Sequence, residues 1–155
     1  MMSSTNGSDA DRRWMSAAIE QARLCPPSGS AYSVGAVIVD SREDEISRGY
    51  SRETDPHDHA EESALAKLPP GDSRLRGATV YSTLEPCSRR KSRERTCTQL
   101  ILAAGVSRVV IAWLEPRLFV DDPQGREILE AAGVTVTEMP EFAALAREPN
   151  KHLAI

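Results

Sequence analysis

Apolar and polar positions follow one another along the chain in a pattern that predicts alternating helices and strands. From about Asp9 or Asp11 to Leu24, apolar residues recur at three- and four-residue spacings, which indicates an amphipathic helix. The other predicted helices lie at about 59–68, 97–104, 123–132 and 141–147, and the predicted strands lie at about 34–40, 45–51, 78–84, 108–114 and 134–137.

The order of these elements predicts the fold class. Only four polar residues, 41–44, separate the first two strands, which favours an antiparallel hairpin. The later strands alternate with helices, which is typical of crossover connections and parallel pairing. We therefore expect an α/β protein, a three-layer helix–sheet–helix sandwich with a mixed sheet of about five strands. We expect residues 1–10 to form a mobile N-terminal tail, 11–148 the single domain and 149–155 a C-terminal tail.

Composition and charge narrow the possible roles. With 155 residues, 40% of them hydrophobic, the chain is long and apolar enough for one domain with a core. Its apolar runs are far shorter than the roughly 20 residues that span a bilayer, so no membrane is expected as a partner. The first residues do not resemble a secretory signal, and three cysteines are too few for a disulfide framework, which predicts a cytoplasmic location. A net charge of -4 argues against nonspecific nucleic-acid binding as the main role.

Three side chains have the chemistry of a metal site. His59 and Cys97 each begin a predicted helix, and Cys87 follows a predicted strand. Strand ends and helix starts of parallel-type sheets meet at one edge, so we expect these residues to converge. One imidazole and two thiolates suit tetrahedral zinc and leave the fourth position for water, which predicts one Zn²⁺ per chain. A purely structural zinc site would need a fourth protein ligand, for which His57 is the only nearby candidate.

Glu61 is the candidate acid and base beside this metal. It lies two residues after His59, in the first turn of the predicted helix, where its side chain could reach the open face of the ion. From there it could take a proton from bound water and pass it to a leaving group. The neighbouring Glu62 is expected to be a solvated helix charge.

The segment between the two cysteines is strongly basic in an otherwise acidic protein. We expect it to lie near the mouth of the pocket, because both of its ends are fixed to predicted ligands. The arrangement suits a substrate phosphate, whose oxygens arginine can bind in a bidentate manner. A solvated loop or a nucleic-acid contact is the alternative, although the segment has no aromatic residue for base stacking. The predicted phosphate contacts are Arg89, Arg90, Lys91, Arg93 and Arg95.

These motifs together resemble a known superfamily. His59-Ala60-Glu61, followed by Pro86-Cys87, resembles the zinc-dependent cytidine-deaminase-like signature, His-x-Glu and then Pro-Cys-x-x-Cys. Nine residues separate Cys87 from Cys97, whereas the signature has two residues between its cysteines. This long segment is similar to that of the pyrimidine deaminase domain of riboflavin biosynthesis. The resemblance covers about 10–137. It implies that His59, Cys87 and Cys97 are zinc ligands and that Glu61 is the proton shuttle.

The resemblance also implies an activity. The reaction would replace a ring amine by oxygen and release ammonia, and the expected substrate is the phosphoribosylamino-pyrimidine intermediate of riboflavin biosynthesis. The alternatives are another nucleotide such as dCMP, a guanine-like nucleobase, a blasticidin-like nucleoside antibiotic or, in another class, a nucleic-acid editing module. A homo-oligomer, either a dimer or a tetramer, is expected, without an attached reductase domain.

Some residues differ from those usual in the riboflavin-pathway branch of the superfamily, and these differences concern the expected substrate contacts. Ala31-Tyr32-Ser33 stands where the branch usually has Asn-Pro, and Ser51 stands where a histidine is common. We expect Ser33 and Ala60 to contact the substrate.

Overall fold

A five-stranded mixed sheet lies at the centre of the protein. The computed structural model describes residues 8–88, 90, 93–116 and 124–153. The strands of this sheet are β1 (Gly35–Val39), β2 (Glu45–Tyr50), β3 (Thr79–Ser82), β4 (Arg108–Ile111) and β5 (Thr135–Glu138). They lie in the order β2-β1-β3-β4-β5. Strand β1 is antiparallel to both of its neighbours, whereas β3, β4 and β5 are mutually parallel. This confirms the predicted mixed sheet.

Helices cover both faces of this sheet. They are α1 (Asp9–Ala22), α2 (Ala60–Ala66), α3 (Cys97–Ala104), α4 (Gly125–Ala131) and α5 (Ala143–Arg147). Helix α1 contacts α5, whereas α2 contacts α3 and α3 contacts α4. The result is the predicted helix–sheet–helix arrangement. Within the described part of the chain, no helix combines the length and the apolar character needed to cross a bilayer.

Two glycines allow helices to approach the sheet from opposite sides. A Cβ on Gly35 would lie 1.9 Å from the carbonyl oxygen of Ala18 in α1, and a Cβ on Gly49 would lie 2.6 Å from the amide nitrogen of Ala64 in α2. The register pairs Gly49 with Ala36, the residue after Gly35. Because side chains of successive strand residues point to opposite faces, α1 and α2 lie on opposite faces.

Both ends of the described chain are more ordered than the sequence predicts. Helix α1 begins at Asp9, inside the expected 1–10 tail, because Ser8 and Asp11 form a capping box. The expected tail at 149–155 is a 3-10 helix as far as Leu153, and both Asn150 and Leu153 are buried. The Asn150 amide accepts from the Ser33 backbone N–H at 2.6 Å and donates to the Ser33 carbonyl at 3.0 Å. These contacts tie the C-terminal segment to the loop before β1. The remaining tail residues, 1–7 and 154–155, lie outside the described residues.

Candidate active site

The three predicted metal ligands meet at one place. His59 is the N-cap residue of α2, Cys97 is the first residue of α3, and Cys87 lies in the loop that follows β3. The Nδ1 atom of His59 lies 3.4 Å from the Sγ atom of Cys87 and 3.4 Å from that of Cys97. All three ligand atoms lie within 4.8 Å of one another, and both cysteines are buried.

This geometry fits zinc. Tetrahedral Zn²⁺ with bonds of about 2.3 Å to sulfur and about 2.0 Å to nitrogen separates S from N by about 3.5 Å. The observed separation is 3.4 Å. The backbone N–H of Cys97 also donates to the Cys87 sulfur at 3.2 Å, a contact that steadies a thiolate ligand. Among the described residues, the group includes these three donors and does not include His57, which is exposed. Three protein donors are typical of a catalytic rather than a structural zinc site.

The two thiols share a negative charge unequally. A hydrogen bond from Cys97 and the nearby His59 lower the pKa of Cys87 to about 4. The pKa of Cys97 lies well above its ordinary value, because its thiol donates to Cys87 and is fully buried. The protein's own groups thus stabilise one thiolate. A dication between the sulfurs would stabilise the second as well.

Glu61 is buried in the first turn of α2, two residues after His59. Only 4% of the residue is exposed, and its Oε2 atom accepts a hydrogen bond of 2.8 Å from the hydroxyl of Ser82. Burial, together with the negative charge of Cys87, raises the pKa of Glu61 above its ordinary value. The same carboxylate raises the pKa of Cys97. The charge of the Glu61 carboxylate is therefore coupled to the charges of the two sulfurs.

Arg90 does not lie on an open cationic rim. Its Nη2 atom donates to the Glu62 carboxylate at 3.1 Å and to the His57 carbonyl at 2.8 Å. Glu62 is therefore a partner of the basic segment and not the solvated helix charge that the sequence suggests. Arg95, by contrast, has an exposed side chain.

Arg93 is likewise paired with acidic residues. Its Nη2 atom lies 3.2 Å from an Oδ1 atom of Asp55 and 3.2 Å from that of Asp58. These acids belong to the loop that leads to His59, so the basic segment packs against that loop. Arg89 and Lys91, the other predicted phosphate contacts, lie outside the described residues.

The two remaining predicted substrate contacts are both buried. The Ser33 hydroxyl accepts a hydrogen bond of 2.8 Å from Nη2 of Arg52, and the Ser33 backbone is bound by Asn150. Ala60, the first residue of α2, is wholly buried next to His59. Their predicted contact with a substrate stays a prediction.

Sequence reasoning missed Glu115, which follows β4 at the same sheet edge. Its backbone N–H donates to the carboxylate of Glu85 at 2.8 Å, two residues before Cys87. The side chain is buried, and its Oε1 atom has no hydrogen-bond partner within the described ranges. Burial and the negative charges of Cys87 and Glu85 raise the pKa of Glu115 to about 8. The only signal in the sequence was its position directly after a predicted strand.

Comparison with known proteins agrees with this site. The diaminohydroxyphosphoribosylamino-pyrimidine deaminase of Schizosaccharomyces pombe is 43% identical over 148 residues, which are 90% of this chain and 36% of that protein. Acinetobacter baumannii RibD (form 2) is 31% identical with a TM-score of 0.77, over 94% of this chain and 39% of that chain. The chain thus spans little more than a third of either relative.

A more distant structure shares the fold alone. Aspergillus oryzae Rib2 deaminase, solved in complex with DARIPP, is 20% identical with a TM-score of 0.70, over 94% of this chain and 97% of that chain.

The family model described as the cytidine and deoxycytidylate deaminase zinc-binding region matches residues 8–113. This match includes the three candidate ligands and confirms the resemblance that their motifs indicate. The chain belongs to the cytidine and deoxycytidylate deaminase zinc-binding family.

Proposed function

We propose that this protein is a zinc-dependent hydrolytic deaminase of an aminopyrimidine. One observation carries the proposal: three donors, His59, Cys87 and Cys97, converge at the start of the helix whose first turn carries the buried carboxylate of Glu61. Zinc held by these donors would supply a Lewis acid that lowers the pKa of a bound water into the neutral range. Three protein ligands would leave one position for that water.

Glu61 moves the proton in this reaction. Its carboxylate takes a proton from the attacking water as the oxygen forms a bond to the ring carbon. The protonated Glu61 then gives that proton to the amino nitrogen as the carbon–nitrogen bond breaks, so the amine leaves as ammonia. The remaining water hydrogen stays on the product, as a hydroxyl or a ring N–H. Burial of Glu61 keeps bulk water from competing for the proton.

The proposed substrate is the phosphoribosylamino-pyrimidine after which the Schizosaccharomyces pombe relative is named. Glu115 supports a ring with polar edge groups, because its carboxyl is mostly protonated near neutral pH and can donate as well as accept a hydrogen bond. Its buried Oε1 atom has no partner among the described residues. Of the predicted phosphate contacts, Arg95 is exposed, whereas Arg90 and Arg93 would first have to leave their carboxylate partners. Of these three arginines, we therefore expect Arg95 to contact the phosphate.

An ammonia-release assay tests this function. The substrates are the phosphorylated pyrimidine, its dephosphorylated form and dCMP, which separate the proposed substrate from the alternatives. Glu61→Gln should keep zinc and the circular dichroism of the wild type while kcat falls by about 10²- to 10⁴-fold. Glu127→Gln, an exposed helix acid outside the site, is the matched control. Substantial turnover by Glu61→Gln would refute the proton shuttle, and no ammonia from any aminopyrimidine would refute the activity.

We also propose that the protein is cytoplasmic and forms a homo-oligomer. None of the three cysteines, which all lie in the described part of the chain, forms a disulfide, and this suits a reducing compartment. Among the described residues, large hydrophobic side chains are exposed at four positions, and a subunit contact would remove such surface from water. Sedimentation over a range of concentrations should show a dimer or tetramer, and a monomer throughout would contradict this. The four positions are Leu24, Leu114, Ile128 and Leu145.

A further inference from the structure

The side chain of Arg90 lies buried among the segments that carry the candidate zinc ligands. Only 3% of the side chain is exposed. Nη2 donates to the carbonyl oxygen of His57 at 2.8 Å and to Oε1 of Glu62 at 3.1 Å. Nη1 donates to the carbonyl oxygen of Arg95 at 3.3 Å. One guanidinium group therefore contacts two separate stretches of chain besides its own.

Each stretch contains a candidate ligand. His57 and Glu62 flank His59, Arg95 lies two residues before Cys97, and Arg90 itself lies three residues after Cys87. The planar guanidinium holds its donors in a fixed geometry, so its contacts fix the distances among all three stretches.

Glu62 links Arg90 to His59, the imidazole ligand. Its Oε1 atom accepts from the backbone N–H of His59 at 3.2 Å as well as from Arg90. The first contact is half of the capping box that begins α2. Because Arg90 fixes the position of the Glu62 carboxylate, it also fixes the first turn of α2 and the backbone of His59.

We infer that Arg90 is a positioning residue that, together with Glu62, sets how tightly the protein holds zinc. The inference rests on the proposed function in one respect, since it takes His59, Cys87 and Cys97 as the ligands. It differs from a role in substrate binding, because both terminal nitrogens of the Arg90 guanidinium donate to the protein and the side chain is closed to solvent. Residues that orient metal ligands from outside typically contribute 10- to 100-fold to metal affinity.

Competition for zinc with a chromophoric chelator tests the inference without a substrate. Arg90→Ala should bind zinc about 10- to 100-fold more weakly than the wild type. Arg90→Lys should recover part of the loss, because an ammonium reaches fewer of the acceptors. Glu62→Gln should also weaken zinc binding, and the double variant should lose less than the sum of the single losses, since both act through one contact. Arg76→Ala is the matched control, because Arg76 is exposed and lies outside the three stretches that carry the candidate ligands. This variant should bind zinc like the wild type.

The outcomes separate this inference from the proposed function. If His59→Ala binds zinc as tightly as the wild type, the ligand set itself is wrong. If His59→Ala loses zinc while Arg90→Ala keeps wild-type affinity, only the positioning role is overturned. Wild-type zinc affinity with a raised KM in Arg90→Ala would assign Arg90 to the substrate instead. If Arg90→Ala does not fold, Arg90→Lys and Glu62→Gln decide, and wild-type affinity in both overturns the inference.

Discussion

The hydroxyl of Ser82 lies 2.8 Å from the Oε2 atom of Glu61 and 2.8 Å from the carbonyl oxygen of Leu84. A hydroxyl has one proton to donate, so it serves one of these acceptors at a time. When Glu61 is ionised, the hydroxyl donates to the carboxylate. When Glu61 is protonated, the acid can donate to the Ser82 oxygen while the hydroxyl donates to Leu84. Ser82 can therefore hold the carboxyl group in both protonation states.

Ser82→Ala should slow turnover and leave the metal site intact. A hydrogen bond to a charged group contributes about 1.5–3 kcal/mol, so we expect kcat to fall by about 10- to 100-fold with unchanged zinc content. Ser47→Ala is the matched control, because it removes another buried hydroxyl, which donates to the Ala64 carbonyl at 2.6 Å. That variant should lose stability but keep its kcat. Equal kcat values for Ser82→Ala and the wild type would contradict the role of Ser82.

Glu115→Ala should weaken substrate binding. The change removes the buried carboxyl that we expect to form hydrogen bonds with the ring, and KM should rise by about tenfold or more. Glu115→Gln keeps an acceptor oxygen and should show a smaller rise. Steady-state kinetics of both variants, with Glu127→Ala as the exposed control, measures the effect. An unchanged KM in Glu115→Ala would exclude this contact.

Gly125 lets α4 pack against the loop that presents Cys87. A Cβ at this position would lie 2.1 Å from the carbonyl oxygen of Pro86, the residue before Cys87. Gly125→Ala should therefore destabilise the fold by about 1–3 kcal/mol and weaken zinc binding. Thermal unfolding and the chelator competition measure the two effects. Gly29→Ala is the control, because a Cβ at Gly29 would have no neighbour within 4 Å.

Acid should destabilise the protein partly through Asp11. Arg108 donates to both carboxylate oxygens, at 2.9 and 2.7 Å, and the Tyr81 hydroxyl donates at 2.6 Å. Burial alone would raise the pKa of Asp11, but the hydrogen bonds from Arg108 and Tyr81 outweigh it and lower the pKa below its ordinary value. Such a group stabilises the folded state above the unfolded pKa of about 3.9, and this stability is lost as the pH falls through the folded pKa.

The free energy of unfolding should therefore fall more steeply in the wild type than in Asp11→Asn between about pH 5 and pH 2. Urea unfolding at a series of pH values measures both slopes. Parallel slopes would show that Asp11 does not carry this part of the acid sensitivity.

The metal ligands could be predicted because their types are rare and their positions follow general rules of sheet geometry. His59, Cys87 and Cys97 each stand at a strand end or a helix start, and parallel strands bring such positions to one edge. The partners of Arg90 could not be predicted in this way. Its carboxylate partner, Glu62, is one of 23 acidic residues, and only the path of the folded loops decides which one it meets.

The burial of the C-terminal segment could not be predicted for a similar reason. Its polar composition is typical of a solvated tail, yet Asn150 is buried because its amide pairs with the backbone of Ser33, 117 positions away in sequence. A hydrogen bond between residues so far apart leaves no periodic signal in the sequence.

Because the candidate ligands are widely spaced in the sequence, the fraction of folded protein should depend on the zinc concentration. His59 and Cys97 are 38 positions apart, so the unfolded chain offers scattered donors and no preformed site. Zinc at a hundredfold excess over its Kd would add about 2.7 kcal/mol to the free energy of unfolding. In a cell short of zinc, we expect a larger unfolded fraction and faster proteolytic turnover, so that scarcity lowers the abundance of the protein as well as its activity.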